Sequence, residues 1–225
     1  MKLDQVVPFG RGYDEYVSMF ALSEADLGRR ILACADGPAS FNAVLHRRGG
    51  CVVSVDPIYQ SSAAELRARI RATFDTVIEQ ARAHQEQYVW DAVRSVDELA
   101  RLRMEAMEAF LTDFEAGKLA GRYLPHELPA LPFADAQFDL ALCSHFLFLY
   151  TDHLSREFHC RAIREMCRVA GEARVFPLLD LESRPSRYVG PVCTQLRGEG
   201  YTCEVRAVPY EFQRGGDEML RVTRR

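Results

Sequence analysis

The apolar run Ile31-Leu32-Ala33-Cys34 breaks at a turn of small residues, Ala35-Asp36-Gly37-Pro38-Ala39, and passes into a helical pattern ending near Leu45. A second apolar run, Cys51-Val52-Val53-Ser54-Val55, then stops at Asp56. That order reads as strand, tight turn, helix and strand. A small-residue turn lets a ligand approach the backbone where the first N–H groups of the helix are free. An acid nineteen residues beyond Gly37 can then accept both hydroxyls of a ribose. The implied ligand is an adenosine compound; the alternative is an unliganded strand-turn-helix within an α/β sheet. A dinucleotide is disfavoured, because a pyrophosphate needs glycine at all three positions of G-x-G-x-x-G, whereas Ala35, Gly37 and Ala39 alternate by two.

Downstream, Leu131-Pro132-Phe133-Ala134-Asp135-Ala136-Gln137-Phe138-Asp139 leads into a buried strand over residues 138–143. Residues 151–170 carry Leu154, Phe158, Ile163 and Met166 at helical spacing, and residues 172–179 read as another strand. A helix over 186–200 ends in glycine, and the tail reads as two strands around Arg214-Gly215-Gly216-Asp217, a hairpin signal. Between Asp56 and Leu131, about seventy residues hold two apolar stripes. Leu66, Ile70, Phe74, Val77 and Ile78 make one; Leu99, Leu102, Ala106, Met107, Phe110, Leu111 and Phe114 make the other. They predict two long amphipathic helices joined around Tyr88-Val89-Trp90. Packing, including a homodimer face, is one role for them. A lid over the ligand is the other, since this excursion leaves the chain beside Asp56.

At 225 residues the chain is long enough for one sizeable core. Its net charge of -4, with both signs intermixed, leaves no footprint for nucleic acid or an anionic membrane, so neither is expected as a partner. The start, MKLDQVVPFGRG, lacks an apolar signal core, and no apolar run reaches the roughly 18 residues of a membrane span. The expected location is the cytoplasm. Cys34, Cys51, Cys143, Cys160, Cys167, Cys193 and Cys203 are dispersed without a C-x-x-C pair, which argues against a disulfide framework and a zinc site. Most are expected to be buried, with Cys34 and Cys143 close to the ligand.

The turn, the acid and the LPF phrase together resemble the class I, Rossmann-like S-adenosylmethionine (SAM) dependent methyltransferase superfamily. Its first turn is D-x-G-x-G-x-G, and a phrase of the form LPF-x-D-x-x-FD leads into its fourth strand. The likeness covers most of the chain outside the helical excursion. Ala33 and Ala35 stand where the family has an acid and a glycine, and Gly121-Arg122-Tyr123-Leu124-Pro125-His126-Glu127 holds no acid in the place that reads adenine. The resemblance implies an α/β fold with a doubly wound seven-stranded sheet whose last strand is antiparallel. It also implies a two-helix insertion between the second and third strands. The chain would be a single domain of residues 1–225, with 61–117 as helical insertion or lid.

The same resemblance implies SAM as cofactor and no metal. SAM would lie along Ala35, Asp36, Gly37, Pro38 and Ala39, with its ribose on Asp56 beside Pro57 and its adenine held by groups extending to Leu128. A helix carrying Tyr13, Tyr16, Val17 and Phe20 follows Pro8-Phe9-Gly10-Arg11-Gly12. In this family such a helix closes over the methionine end of SAM. Arg11 would then pair with the carboxylate, the alternative being a solvated surface charge. Tyr13 or Tyr16 would face the sulfonium through its ring. At the end of the fourth strand Ser144, His145 and Phe146 would border the transferable group, with Phe148 and Tyr150 making the pocket aromatic. His145 is expected either as a base titrating near working pH or as a neutral ligand-holding histidine. His153 and His159 are expected exposed or half-packed.

His145, Tyr16 and Ser144 are thus the candidate catalytic residues. Methyl transfer to a small-molecule acceptor is the leading expectation, because orientation alone can supply about 7–11 kcal/mol of the barrier. No Asn-Pro-Pro-Tyr signature of methylation on bases follows the fourth strand. Two alternatives remain. One is intramolecular cyclisation of SAM itself to azetidine-2-carboxylate with release of methylthioadenosine, as in azetidine-2-carboxylate synthases of this fold. The other is a non-catalytic SAM-binding protein.

Overall fold

The computed structural model describes residues 8–224; the first seven residues of the expected leaderless N-terminus and Arg225 lie outside the described residues. The apolar runs read above become the centre of a sheet. β1 (Arg30–Cys34), β4 (Leu140–Ser144) and β5 (Glu172–Phe176) are covered on both faces, as near-continuous apolar strands must be. β2 (Cys51–Val55) and the two-residue β3 (Tyr123–Leu124) extend the parallel part. β6 (Tyr201–Ala207) and β7 (Glu218–Arg224) complete seven strands in the order β3-β2-β1-β4-β5-β7-β6, with β7 antiparallel to both neighbours.

Side-chain alternation distributes each strand between two helical layers. Leu32, Cys34, Ala141, Cys143, Leu220 and Val222 pack against α6 (Arg156–Val169) and α7 (Val189–Gly198). Ile31, Leu140, Leu142 and Met219 face the other way, onto α1 (Tyr13–Met19), the single turn α2 (Glu24–Leu27) and α3 (Phe41–Arg47). Cys34 and Cys143 therefore belong to the core rather than to a ligand site, and of the seven free thiols only that of Cys51 is exposed.

The two amphipathic stripes form α4 (Ala63–Ala83) and α5 (Val96–Leu119) between β2 and β3. Ser62 and Ser95 cap them, each accepting from an N–H three residues on. α5 packs beside α3 and β3, and α4 packs on α5. The hairpin signal is displaced: the β6–β7 connection spans residues 208–217, because it reaches across to the α4–α5 link. Val89 N–H donates to Phe212 O at 2.8 Å and Arg214 N–H to Gln87 O at 2.8 Å, while the Tyr88 and Phe212 rings stack at 4.8 Å.

Candidate functional site

The strand order reverses direction between β1 and β4, and at that point the loops beyond the carboxyl ends diverge and leave a crevice. A cavity of about 450 Å³ opens there. Its first wall is the 35–39 turn. Ala35 and Gly37 both adopt left-handed backbone, φ +51° and +53°, so Ala35 occupies a conformation that glycine reaches without its Cβ strain. The turn is tied to β2 by Ala35 N–H to Val55 O at 2.9 Å and by Gly37 N–H to Asp56 Oδ2 at 2.9 Å. Asp56 Oδ1 takes the N–H of Ile58 at 3.0 Å, and Tyr59 closes the turn from outside by donating to Gly37 O at 2.7 Å. Burial raises the Asp56 carboxyl, against those N–H bonds. Pro57, Ile58, His126, Glu127 and Leu128 continue this wall.

Asp36 is buried behind the turn and also lines the cavity. Its Oδ1 accepts the Tyr16 hydroxyl at 2.5 Å and its Oδ2 the Ser54 hydroxyl at 2.6 Å. Burial pushes its carboxyl up to about 6, although both hydroxyls favour the ionised form. Tyr16 stacks on Phe41 at 4.8 Å, and burial, reinforced by Asp36, keeps it a phenol. Ser144 Oγ is 2.8 Å from Nδ1 of His145, and both residues line the cavity with Tyr16. The three candidate catalytic side chains thus border one space, with Tyr16 bonded to Asp36.

His145 has φ +50° and donates its N–H to Phe176 O at 2.7 Å, a bend that turns the ring into the cavity. Burial, and then the charges of Arg11 and Arg103, hold its pKa well below 6.5. Of the two expectations for His145, that direction favours the neutral ring, because burial and two nearby guanidinium charges disfavour the imidazolium.

The N-terminal segment is already seated on the turn. A Cβ on Gly10 would stand 2.0 Å from Pro38 O and 3.0 Å from Ala39 N, and Ser40 N–H donates to Arg11 O at 3.0 Å. Ala39, expected at the ligand, is covered by this segment and does not line the cavity. Tyr13 does not line it either. It stacks on Phe41 at 5.8 Å, as Tyr16 one turn on does at 4.8 Å, and the Arg48 guanidinium lies 4.4 Å from its ring. Arg11, Tyr16, Ala35, Asp36, Gly37, Pro38, Asp56, Pro57, Leu128, Ser144 and His145 all do line it. Phe146 and Tyr150 join them, whereas Phe148 packs in the core against His159. His159 is itself fully buried, its ring nitrogens 2.8 and 2.9 Å from two carbonyl oxygens.

A basic wall completes the cavity. The Arg11 guanidinium donates to Phe9 O at 2.7 Å, and its buried Nε meets no acceptor among the described residues. Behind it Arg103 of α5, with no exposed side-chain surface, pairs with Glu15 of α1, which also accepts the Tyr210 hydroxyl at 2.8 Å. Nε and Nη2 of Arg103 are likewise without acceptors among the described residues. Glu15 thus pairs with Arg103, while the Arg11 guanidinium bonds a backbone carbonyl. Arg103, Glu15 and Tyr210 were not candidates from sequence. The available signal was an arginine placed within the apolar stripe Leu99, Met107, Phe110 of α5. Among the described residues no group of three or more His, Cys, Asp or Glu is placed to hold a metal ion, and no helix is long and apolar enough to cross a membrane.

Across its whole length the chain is 30% identical to the uncharacterised protein MJ0045 of Methanocaldococcus jannaschii, covering 100% of this chain and 99% of that protein. The chain belongs to the family of that protein. No protein-family model matches this chain. Among solved structures, the magnesium protoporphyrin IX methyltransferase of Synechocystis PCC 6803 with bound S-adenosylhomocysteine (SAH) superposes with TM-score 0.50 at 11% identity, over 93% of this chain and 80% of that one. The SAM-bound form of the same enzyme gives TM-score 0.49 over 95% and 78%. The fold shared by this family member is that of the class I, Rossmann-like SAM-dependent methyltransferases.

Proposed function

We propose that this cavity binds SAM and that the protein is a SAM-dependent enzyme transferring the methyl group to a small-molecule acceptor. The observation that carries this reading is the junction of turn and acid: Asp56, buried at the end of β2 and hydrogen-bonded to Gly37 N–H at 2.9 Å, faces the cavity beside the open backbone of the turn. Each carboxylate oxygen keeps lone-pair capacity for one ribose hydroxyl. Adenine fits between Pro57, Ile58 and Leu128, with Glu127 at its edge. Arg11, a half-buried cation with an unused buried Nε, fits the carboxylate of the methionine arm.

Bound SAM supplies an electrophilic carbon on a sulfonium sulfur. The protein's own part is to place a nucleophile in line with that carbon and to exclude water. Tyr16 offers a ring to the sulfonium charge. Phe146, Tyr150, Tyr88 and Phe212 enclose the acceptor side, and neutral His145 orients polar groups there through its second ring nitrogen. Cyclisation of SAM is favoured by one observation: the α4–α5 link is hydrogen-bonded to the 208–217 loop, which roofs the cavity from within the same chain.

Calorimetry with SAH on the wild type and on Asp56→Ala tests the cofactor. Loss of a charged acceptor is expected to cost about 1.5–3 kcal/mol, roughly 10- to 150-fold in affinity. Equal affinities would overturn the assignment. Incubation with SAM alone then separates the reactions. Methylthioadenosine with an imino acid marks cyclisation, SAH formed only with an added acceptor marks methyl transfer, and neither product marks a binding protein.

A further inference from the structure

Asp36 lines this cavity. Its carboxylate meets the neutral hydroxyls of Tyr16 and Ser54, at 2.5 and 2.6 Å, and forms no ion pair among the described residues. The groups that face it from every adjoining element are neutral or acidic. They are Tyr16 from α1, the Cys34 and Cys143 thiols of β1 and β4, Ser54 and Asp56 of β2 and its end, and Tyr59 from the turn after β2. A carboxylate buried among such groups is stabilised when a cation or a proton reaches it. The side from which one can arrive is the cavity.

Building on the SAM reading above, we propose that Asp36 accepts a proton from a primary ammonium of the ligand lying against the 35–37 turn, directly or through the Tyr16 hydroxyl, and so makes that nitrogen the nucleophile. One N–H bond breaks and its proton ends on the Asp36 carboxylate. The freed lone pair forms a C–N bond to the carbon attached to the sulfonium sulfur. The C–S bond breaks with both electrons going to sulfur, which leaves as a neutral thioether, while the positive charge passes to the alkylated nitrogen. The ammonium has two sources with the same chemistry: the α-amino group of SAM itself, which closes a ring, or an amine acceptor, which is methylated.

Burial lifts the Asp36 carboxyl to about 6, whereas His145 is held well below its ordinary 6.5. Of the two groups, Asp36 is therefore the better proton acceptor. Tyr16 links them, being bonded to Asp36 on one side and near the Ser144–His145 pair on the other.

The test uses Asp36→Asn, which keeps the size and one acceptor for Tyr16, and Tyr16→Phe, which keeps the ring on Phe41. Affinities for SAH and for methylthioadenosine, which lacks the amino-acid arm, are measured by calorimetry; turnover is measured with methyl-labelled SAM alone and with a pool of amino acids and polyamines. If the ammonium is SAM's own, D36N weakens SAH at least tenfold, leaves methylthioadenosine within twofold, and lowers methylthioadenosine production from SAM at least a hundredfold. If it belongs to an acceptor, SAH affinity holds and methyl transfer to the pool falls at least a hundredfold. In both cases Y16F moves the acid limb of the pH–rate profile upward from about 6, because the lost hydrogen bond favoured the ionised carboxylate; a packing role would not move it. Unchanged SAH affinity together with unchanged turnover in D36N, or an unmoved limb in Y16F, overturns the proposal. Failure of the wild type to bind either nucleoside defeats the SAM reading instead.

Discussion

One wall of the cavity draws Asp36, Gly37 and Asp56 from a single strand-turn-helix-strand unit, with the bonded Gly37 and Asp56 19 residues apart. The basic wall joins Arg11, Glu15, Arg103 and Tyr210 from four segments, the Glu15 and Tyr210 partners lying 195 residues apart. The acidic wall holds its charges with backbone N–H groups and the Ser54 hydroxyl of the local unit, to which α1 adds the Tyr16 hydroxyl. The basic wall holds its charges with an ion pair that exists only once α1, α5 and the 208–217 loop have docked. The first arrangement keeps carboxylates open to a ligand without a counter-charge of their own; the second makes the docking itself depend on matched charge.

The sharpest way to break this contrast is to remove one member of the ion pair. Arg103→Ala strands the Glu15 carboxylate with only the Gly12 N–H and the Tyr210 hydroxyl, each at 2.8 Å. The expected loss is about 3–5 kcal/mol, a fall of roughly 6–20 °C in Tm for a chain of this size. Arg103→Met with Glu15→Gln should restore most of it. A single-mutant loss below about 1 kcal/mol would show that the two walls are held in the same way.

The acidic wall should respond with the opposite sign. Asp36 binds its proton up to about 6 in the folded state against an ordinary value of 3.8, so its ionisation opposes folding, increasingly as pH rises through that window. That difference corresponds to at most about 3 kcal/mol above pH 6. Unliganded Asp36→Asn should therefore melt above the wild type at pH 8, with the margin shrinking toward pH 4. A variant less stable at pH 8 would mean that the carboxylate is structural rather than held for a ligand.

His145 sits between the walls and reports the field of the basic one. Nitrogen-15 shifts of its ring should stay those of the neutral form at pH 6, since its pKa lies well below 6.5. The unfolded chain takes up that proton near 6.5 while the folded chain does not. Its share of stability is thus complete above pH 6.5 and is lost as pH falls below it. His145→Gln should flatten that part of the wild-type decline, and a ring already protonated at pH 6 would mean that the two arginines are neutralised in solution.

The smallest effect belongs to the roof. Arg214→Ala removes side-chain bonds to Glu86 O and Tyr88 O, both at 3.2 Å and near the surface, and is expected to cost under about 1 kcal/mol. Faster amide exchange at Val89, whose N–H is bonded to Phe212 O, is the more sensitive readout. No change there would mean that the backbone bonds and the Tyr88–Phe212 stack fix the α4–α5 link without the Arg214 side chain.

Local chemistry explains what was legible beforehand. The 35–39 turn, Asp56, and His145 at the end of β4 were readable because short continuous apolar runs bounded by turn residues mark buried strands and the residues that end them fall at the same edge of a parallel sheet. The errors arose where direction mattered more than spacing. Tyr13 and Tyr16 both stack on Phe41, yet only Tyr16 reaches the cavity while Tyr13 meets Arg48, and Ala39 is covered by Gly10. The helical stripe of α5 announced a buried face, yet nothing near Arg103 in the chain announced Glu15, because the partner comes from α1.

Sequence alone determined the α/β unit, its turn and its acids, since backbone hydrogen bonding and alternation act over a few residues and need no distant partner. Tertiary structure alone decided the sign of the field in the cavity. Arg11, Arg103, Glu15, Tyr210 and His145 act on one another around a partly enclosed cavity, where charges interact more strongly than in bulk water, and only folding brings those residues within that range.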